Sequence, residues 1–167
     1  MDPQFDQRRY LIPFRSLLLP HVFTDTLVIG GGVAGASAAI AAAAHGDVIL
    51  LAKDSLELSS TAWAQGGIAA ALGDDDTPAD HVGDTLAAGA GLCEPDAVRV
   101  CAEEGPDAIR ELVEWGMVFD RDDAGAIHLT REGGHTRNRV AHSRGDATGA
   151  ELVRCLVERL RGTENVR

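Results

Sequence analysis

The chain has 167 residues, 45% apolar and 25% charged, a balance that supports one globular domain with its own core and argues against wholesale disorder. Its 26 acidic residues against 15 basic ones leave a formal net charge of -11, which argues against nucleic acid or an anionic membrane surface as a partner, since both need a basic face. Three cysteines, Cys93, Cys101 and Cys155, show no CxxC spacing and point away from a disulfide framework or a zinc site, towards a reducing cytoplasm. Residues 1–24 contain Arg8-Arg9-Tyr10 and prolines at 3, 13 and 20 without sustained periodicity, and read as an N-terminal arm before a domain that begins at residue 25. The cluster Leu17-Leu-Leu19 is too short for a signal segment or a membrane span.

The first informative stretch runs from Asp25 to Ala44. Leu27, Val28 and Ile29 predict a short parallel strand, the turn Gly30-Gly31-Gly32-Val33-Ala34-Gly35 has the G-x-G-x-x-G spacing, and an alanine-rich helix follows from Val33. In such a turn the first glycine allows the tight exit from the strand, the second lets backbone N–H groups approach a pyrophosphate, and the third lets the helix lie close. His45-Gly46-Asp47 stops the helix, and Val48-Ile-Leu-Leu51 predicts a second strand. The acidic residue expected about 20 positions after the first glycine to bind an adenosine ribose is absent. The strand ends in Leu51-Ala52-Lys53, with Asp54 two positions late. Lys53 either faces the ribose and phosphates or is a solvated residue at a strand end.

Residues 59–68, Ser59-Ser60-Thr61-Ala62-Trp63-Ala64-Gln65-Gly66-Gly67-Ile68, have no clean period and predict an irregular loop. Its hydroxyls, amide and glycine pair suit the wrapping of a polar cofactor ring. Asp74-Asp75-Asp76 reads as a solvated acidic turn, not a metal site. Residues 80–90 predict a helix, on which a lone His81 is expected as a surface or capping group. Apolar residues at helical spacing predict two packing helices, over 95–104 and 106–115, then an extended segment from Met117-Val-Phe119.

The second informative stretch, residues 127–142, gathers arginines, histidines and one carboxylate around a glycine pair. Arg131, Arg137, Arg139 and Arg144 suggest either a small-anion site, with Glu132 accepting from an amino group, or surface salt bridges around a hairpin. A helix over residues 150–160 follows, with Asp146 or Thr148 as N-cap candidates, and a new strand starts at Asn165-Val166-Arg167.

Four segments in order carry a family resemblance: Val28-Ile-Gly-Gly-Gly-Val-Ala-Gly35, Ser60-Thr-Ala-Trp-Ala-Gln-Gly-Gly-Ile-Ala-Ala70, Asp84-Thr-Leu-Ala-Ala-Gly-Ala-Gly-Leu-Cys93, and Leu129-Thr-Arg-Glu-Gly-Gly-His135 followed by Gly145-Asp-Ala-Thr-Gly149. From about Thr24 onward the chain resembles the N-terminal part of the L-aspartate oxidases, flavoproteins of the succinate dehydrogenase and fumarate reductase superfamily. The resemblance implies an α/β, Rossmann-like FAD-binding domain with a parallel sheet. It implies that residues 30–35 and Lys53 contact FAD and that residues 60–67 wrap the flavin. Respiratory relatives bind FAD covalently through a histidine five residues before the glutamine. That position is Ser60 here, so non-covalent FAD is expected. Those relatives carry an aromatic residue where Glu132 stands. In the oxidases the glutamate is held to orient the substrate through its amino group.

The activity so implied is oxidation of L-aspartate, or another small dicarboxylate, to iminoaspartate, with oxygen or fumarate as acceptor. The product would pass to quinolinate synthase and NAD biosynthesis. Family members continue with a capping domain, a catalytic arginine base and the return of the FAD domain. The chain is therefore expected to be a truncated oxidase, inactive alone. The alternatives are a non-catalytic nucleotide-binding fragment or a flavoprotein of the fumarate reductase type, with an NAD-dependent dehydrogenase weaker still.

Overall fold

The computed structural model describes residues 19–167, so the expected arm lies mostly outside the described residues. Strands β1 (Thr26–Ile29) and β2 (Val48–Leu51) pair in parallel, Thr26 opposite Val48 and Ile29 opposite Leu51. Helix α1 (Val33–Ala42) connects them, in the strand, turn, helix, strand order that the sequence predicts. Val166 makes a parallel bridge to Val48. Val48 N donates to Asn165 O at 2.8 Å and Arg167 N to Val48 O at 2.9 Å, so a third parallel strand does begin at the last residues.

Beside this sheet lies a small antiparallel one made of β3 (Ile68–Ala69), β4 (Leu129–Thr130) and β5 (Val140–Ala141), with β5 in the middle. Met117 and Phe119 are buried on either side of an exposed Val118, the alternation of an extended segment. Helices α2 (Pro78–Ala88) and α3 (Pro95–Glu114) pack on each other, and α4 (Thr148–Arg161) packs on α1 and on a single 3-10 turn at Ser60–Trp63. Most of the α4 side chains are buried, including Leu152, Cys155, Leu156 and Leu160. Each such leucine contributes about 1.5–3 kcal/mol on removal from water. Opposite them α1 presents Ala36 and Ala39, with its C-cap Ala43 beyond, and these small side chains let the two helices and the sheet approach closely.

Three helix boundaries differ from the sequence reading. First, α2 starts at Pro78, because Thr77 Oγ1 accepts from Asp80 N at 3.1 Å and donates to Asp80 Oδ2 at 2.8 Å. Second, the two helices expected over 95–104 and 106–115 are one, with Pro106 inside it. A proline there costs about 3 kcal/mol, but Gly105 has no Cβ to clash with the ring, and the burial of Ala102, Pro106 and Ile109 offsets the lost bond. Third, α4 has Ala147 at its N-cap without a side-chain bond, so neither Asp146 nor Thr148 caps it. The Thr148 hydroxyl is taken by Ser143 N, which donates to it at 3.1 Å.

Candidate cofactor and substrate site

Gly30 leaves β1 with φ of +116°, a conformation that L side chains rarely adopt, and this turns the chain sharply into α1. A Cβ on Gly35 would collide with the Gly30 carbonyl, so the first turn of α1 passes against the strand end only because Gly35 has none. Gly32 is the N-cap of α1 in extended conformation, without a side-chain cap, and no carboxylate occupies the first turn. That helix end is left open to an anion, where unpaired N–H groups and the helix dipole favour negative charge. Thr61 lies beside it, its Oγ1 accepting from Val33 N at 3.2 Å.

A cleft of about 300 Å³ runs along this turn, lined by Gly30, Gly31, Gly32, Lys53, Asp54 and residues 58–61 among others. It brings together the glycine turn, the end of β2 and the start of the residue 60–67 loop, three segments distant in sequence. The loop is less irregular than expected, since Ser59 Oγ accepts from Ala62 N at 3.4 Å and closes the 3-10 turn. Ala64 O accepts from Gly149 N at 2.9 Å, so the first turn of α4 backs the loop. Trp63 is exposed, as are Ala64, Gln65 and Gly66. The helix end without a side-chain cap, the sharp turn at Gly30 and the neighbouring Thr61 hydroxyl have the chemistry that a dinucleotide's pyrophosphate requires.

The second stretch supplies β4 and β5 and the loop between them. Glu132 Oε1 lies 3.2 Å from His142 Nε2, which is also 2.9 Å from Thr130 Oγ1. The loop that carries Glu132 is pinned by Asp84, whose Oδ2 accepts from Thr136 N at 2.7 Å, from Thr136 Oγ1 at 2.9 Å and from Arg139 Nη1 at 2.8 Å. The Thr136 amide, with the Thr136 hydroxyl and Arg139 adding to it against burial, holds the Asp84 carboxyl below the usual carboxylate range.

Several expectations are corrected here. Arg139 is not available to a small anion: it is buried and forms a bidentate pair with Asp76, Nε to Oδ2 at 2.9 Å and Nη2 to Oδ1 at 2.7 Å. Asp76 therefore is not part of a solvated turn. Arg144 is likewise engaged, Nη2 at 3.2 Å from Glu151 Oε2. His81 is neither a surface group nor a cap. Its ring lies 5.6 Å from that of His135, and the Nδ1 atoms of both are buried without a partner among the described residues. Burial, then the Arg139 charge and His135, push the His81 pKa down against Asp76 and Asp84. The Asp76, Asp84 and Arg139 cluster escaped the sequence reading; its one signal is that Asp76 immediately precedes the cap and proline that open α2.

A parallel sheet whose glycine turn opens onto an uncapped helix end beside a cleft defines a dinucleotide-binding α/β protein. The chain belongs to the family of the FAD binding domain, which matches residues 25–167, and its cofactor is FAD. It is 53% identical over 141 residues to an L-aspartate oxidase of Streptomyces coelicolor, covering 84% of this chain and 24% of that protein. It is 45% identical over 153 residues to an L-aspartate oxidase of Pseudomonas aeruginosa, covering 87% of this chain and 28% of that one. Among solved structures it superposes on FrdA of an E. coli quinol fumarate reductase variant with a TM-score of 0.82 at 31% identity, over 86% of this chain and 25% of the other. The chain thus spans about a quarter of the length of the oxidases it matches. No helix among the described residues is long and apolar enough to cross a membrane.

Proposed function

We propose that this chain is the FAD-binding and substrate-facing N-terminal portion, residues 25–167, of a cytoplasmic L-aspartate oxidase. The enzyme would oxidise L-aspartate to iminoaspartate with oxygen or fumarate as acceptor, and quinolinate synthase would take the product towards NAD. The observation that carries the reading is Glu132, a carboxylate half exposed beside the same small sheet that anchors the cofactor loop. When bound, FAD supplies a two-electron acceptor for the hydrogen leaving the substrate Cα. Gly30, Gly31, Gly32, Val33, Ala34 and Gly35 would hold the pyrophosphate, Lys53 would face the ribose and phosphates, and Ser60, Thr61, Ala62, Trp63, Ala64, Gln65, Gly66 and Gly67 would surround the ring.

Glu132 would accept from the substrate amino group and so orient Cα, an interaction that succinate or fumarate cannot use. A charge-assisted hydrogen bond of this kind is worth roughly 1.5–3 kcal/mol. With residues 25–167 grafted in place of the matching segment of the S. coelicolor oxidase, Glu132→Gln should lower kcat/KM on L-aspartate by about one to two orders of magnitude. Reduction of fumarate should suffer much less. Equal loss in both directions would make Glu132 structural and end the reading. Ser60 offers no ring nitrogen to the cofactor, so denaturation should release all flavin; flavin that precipitates with the protein would count against non-covalent binding.

A further inference from the structure

The three short strands of the antiparallel sheet lead to three residues that meet. Gly67 immediately precedes β3, Glu132 follows β4 by two positions, and His142 directly follows β5. Because β5 pairs with both neighbours, Ile68 and Leu129 each opposite Ala141, the residue after Ala141 lies at the junction of the cofactor loop and the Glu132 loop. The His142 ring touches both sides: its Cε1 is 3.0 Å from where a Cβ on Gly67 would stand, and its Nε2 is 3.2 Å from Glu132 Oε1.

The hydrogen bonds determine which nitrogen carries the proton. A carboxylate only accepts, and Thr130 Oγ1 directs its own hydrogen to Val140 O at 3.4 Å. The hydrogen between His142 and these two oxygens therefore sits on Nε2, shared by Glu132 at 3.2 Å and Thr130 at 2.9 Å. His142 is 18% exposed and Glu132 51%, so a well-packed ring holds one oxygen of a side chain that is otherwise in solvent. The other oxygen, Oε2, has no partner among the described residues.

We infer that His142 is a positioning residue for substrate specificity: it holds Glu132 Oε1 in register with the cofactor loop and leaves Oε2 to the amino group of an α-amino dicarboxylate. The inference rests on the reading of Glu132 proposed above. Its physical basis is pre-organisation. A glutamate on an exposed loop samples many rotamers, and fixing it before substrate arrives removes that ordering cost from binding.

Two measurements test this. In the grafted oxidase, His142→Ala should lower the ratio of kcat/KM for L-aspartate to that for fumarate about tenfold, mostly through KM. His142→Gln, which can still donate to Glu132, should recover most of the ratio. In a Glu132→Gln background, His142→Ala should change the ratio by less than about twofold, because both act through one contact. If Glu132→Gln shifts the ratio and His142→Ala does not, the inference fails while the oxidase reading stands. If Glu132→Gln itself leaves the ratio unchanged, the oxidase reading fails first. Independently of activity, nitrogen NMR of the 167-residue chain labelled at histidine should show His142 with its hydrogen on Nε2 and a resonance that moves on Glu132→Ala. A resonance indifferent to that change overturns the inference even if the graft is inactive.

Discussion

Arg139 and Asp76 have fully buried side chains, and neither charge could be buried alone. Removing one partner strands the other in the interior, so Arg139→Ala should destabilise the chain by about 3–5 kcal/mol, read as a lower urea midpoint. Arg139→Lys should also be damaging, because an ammonium cannot reproduce the bidentate fork. His81 gives the pH dependence. Its folded pKa lies below the ordinary value of about 6.5, so above that value both states are neutral and stability is complete. As pH falls through about 6.5 the unfolded chain gains a proton that the folded one refuses, and stability declines until the lower folded pKa is reached. Thermal unfolding from pH 7 to 5 should show this decline, and His81→Gln should flatten it; an unchanged slope would mean that the orphaned ring carries no such penalty. Asp84 acts lower on the scale, its contribution being present above the ordinary carboxylate value of about 3.9 and lost below it.

At the level of elements, hydrophobic period and glycine spacing were enough to find β1, α1, β2 and the body of every later helix, because each follows from local chemistry. Where local signals competed, tertiary packing decided. Pro106 reads as a helix break, yet the buried face of α3 continues through it. The two-residue strands β3, β4 and β5 are too short to leave a period at all, and with them the sequence hid the junction that brings Gly67, Glu132 and His142 together. The glycine turn was legible because its function is a backbone shape; the Arg139 cluster was not, since a charge bound for the interior looks like any other charge. Helix α4 makes a chemical prediction of its own. Cys155 is fully buried on it, and burial pushes the thiol pKa up, whereas Cys101 on α3 is exposed. A thiol reagent at neutral pH should modify Cys101 within minutes and leave Cys155 protected until denaturant is added, as peptide mass spectrometry would record. Equal labelling in the native protein would mean that α4 does not pack as described.

For the whole molecule the question is whether this chain suffices for chemistry. Among the described residues nothing pairs with the outer edge of β1, and Ile29 is 80% exposed there, so the parallel sheet is open on one side. Binding FAD asks for the turn, the helix end and the cleft, all of which are present. Oxidising an amino dicarboxylate asks for more: cationic anchors for two carboxylates, a proton acceptor, and a site closed to water. Of the four arginines between residues 131 and 144, Arg139 is committed to Asp76 and Asp84 and Arg144 to Glu151, while Arg131 and Arg137 are exposed. We therefore expect the 167-residue chain to take up FAD, seen as a yellow protein after gel filtration, yet to form no hydrogen peroxide from L-aspartate above the background of free FAD. The graft into the longer oxidase should restore turnover, since it adds the remaining three quarters of that protein without altering residues 25–167. Peroxide at an enzyme-like rate from the chain alone would show that its open cleft already assembles a complete site, and would place the missing anchors at Arg131 and Arg137.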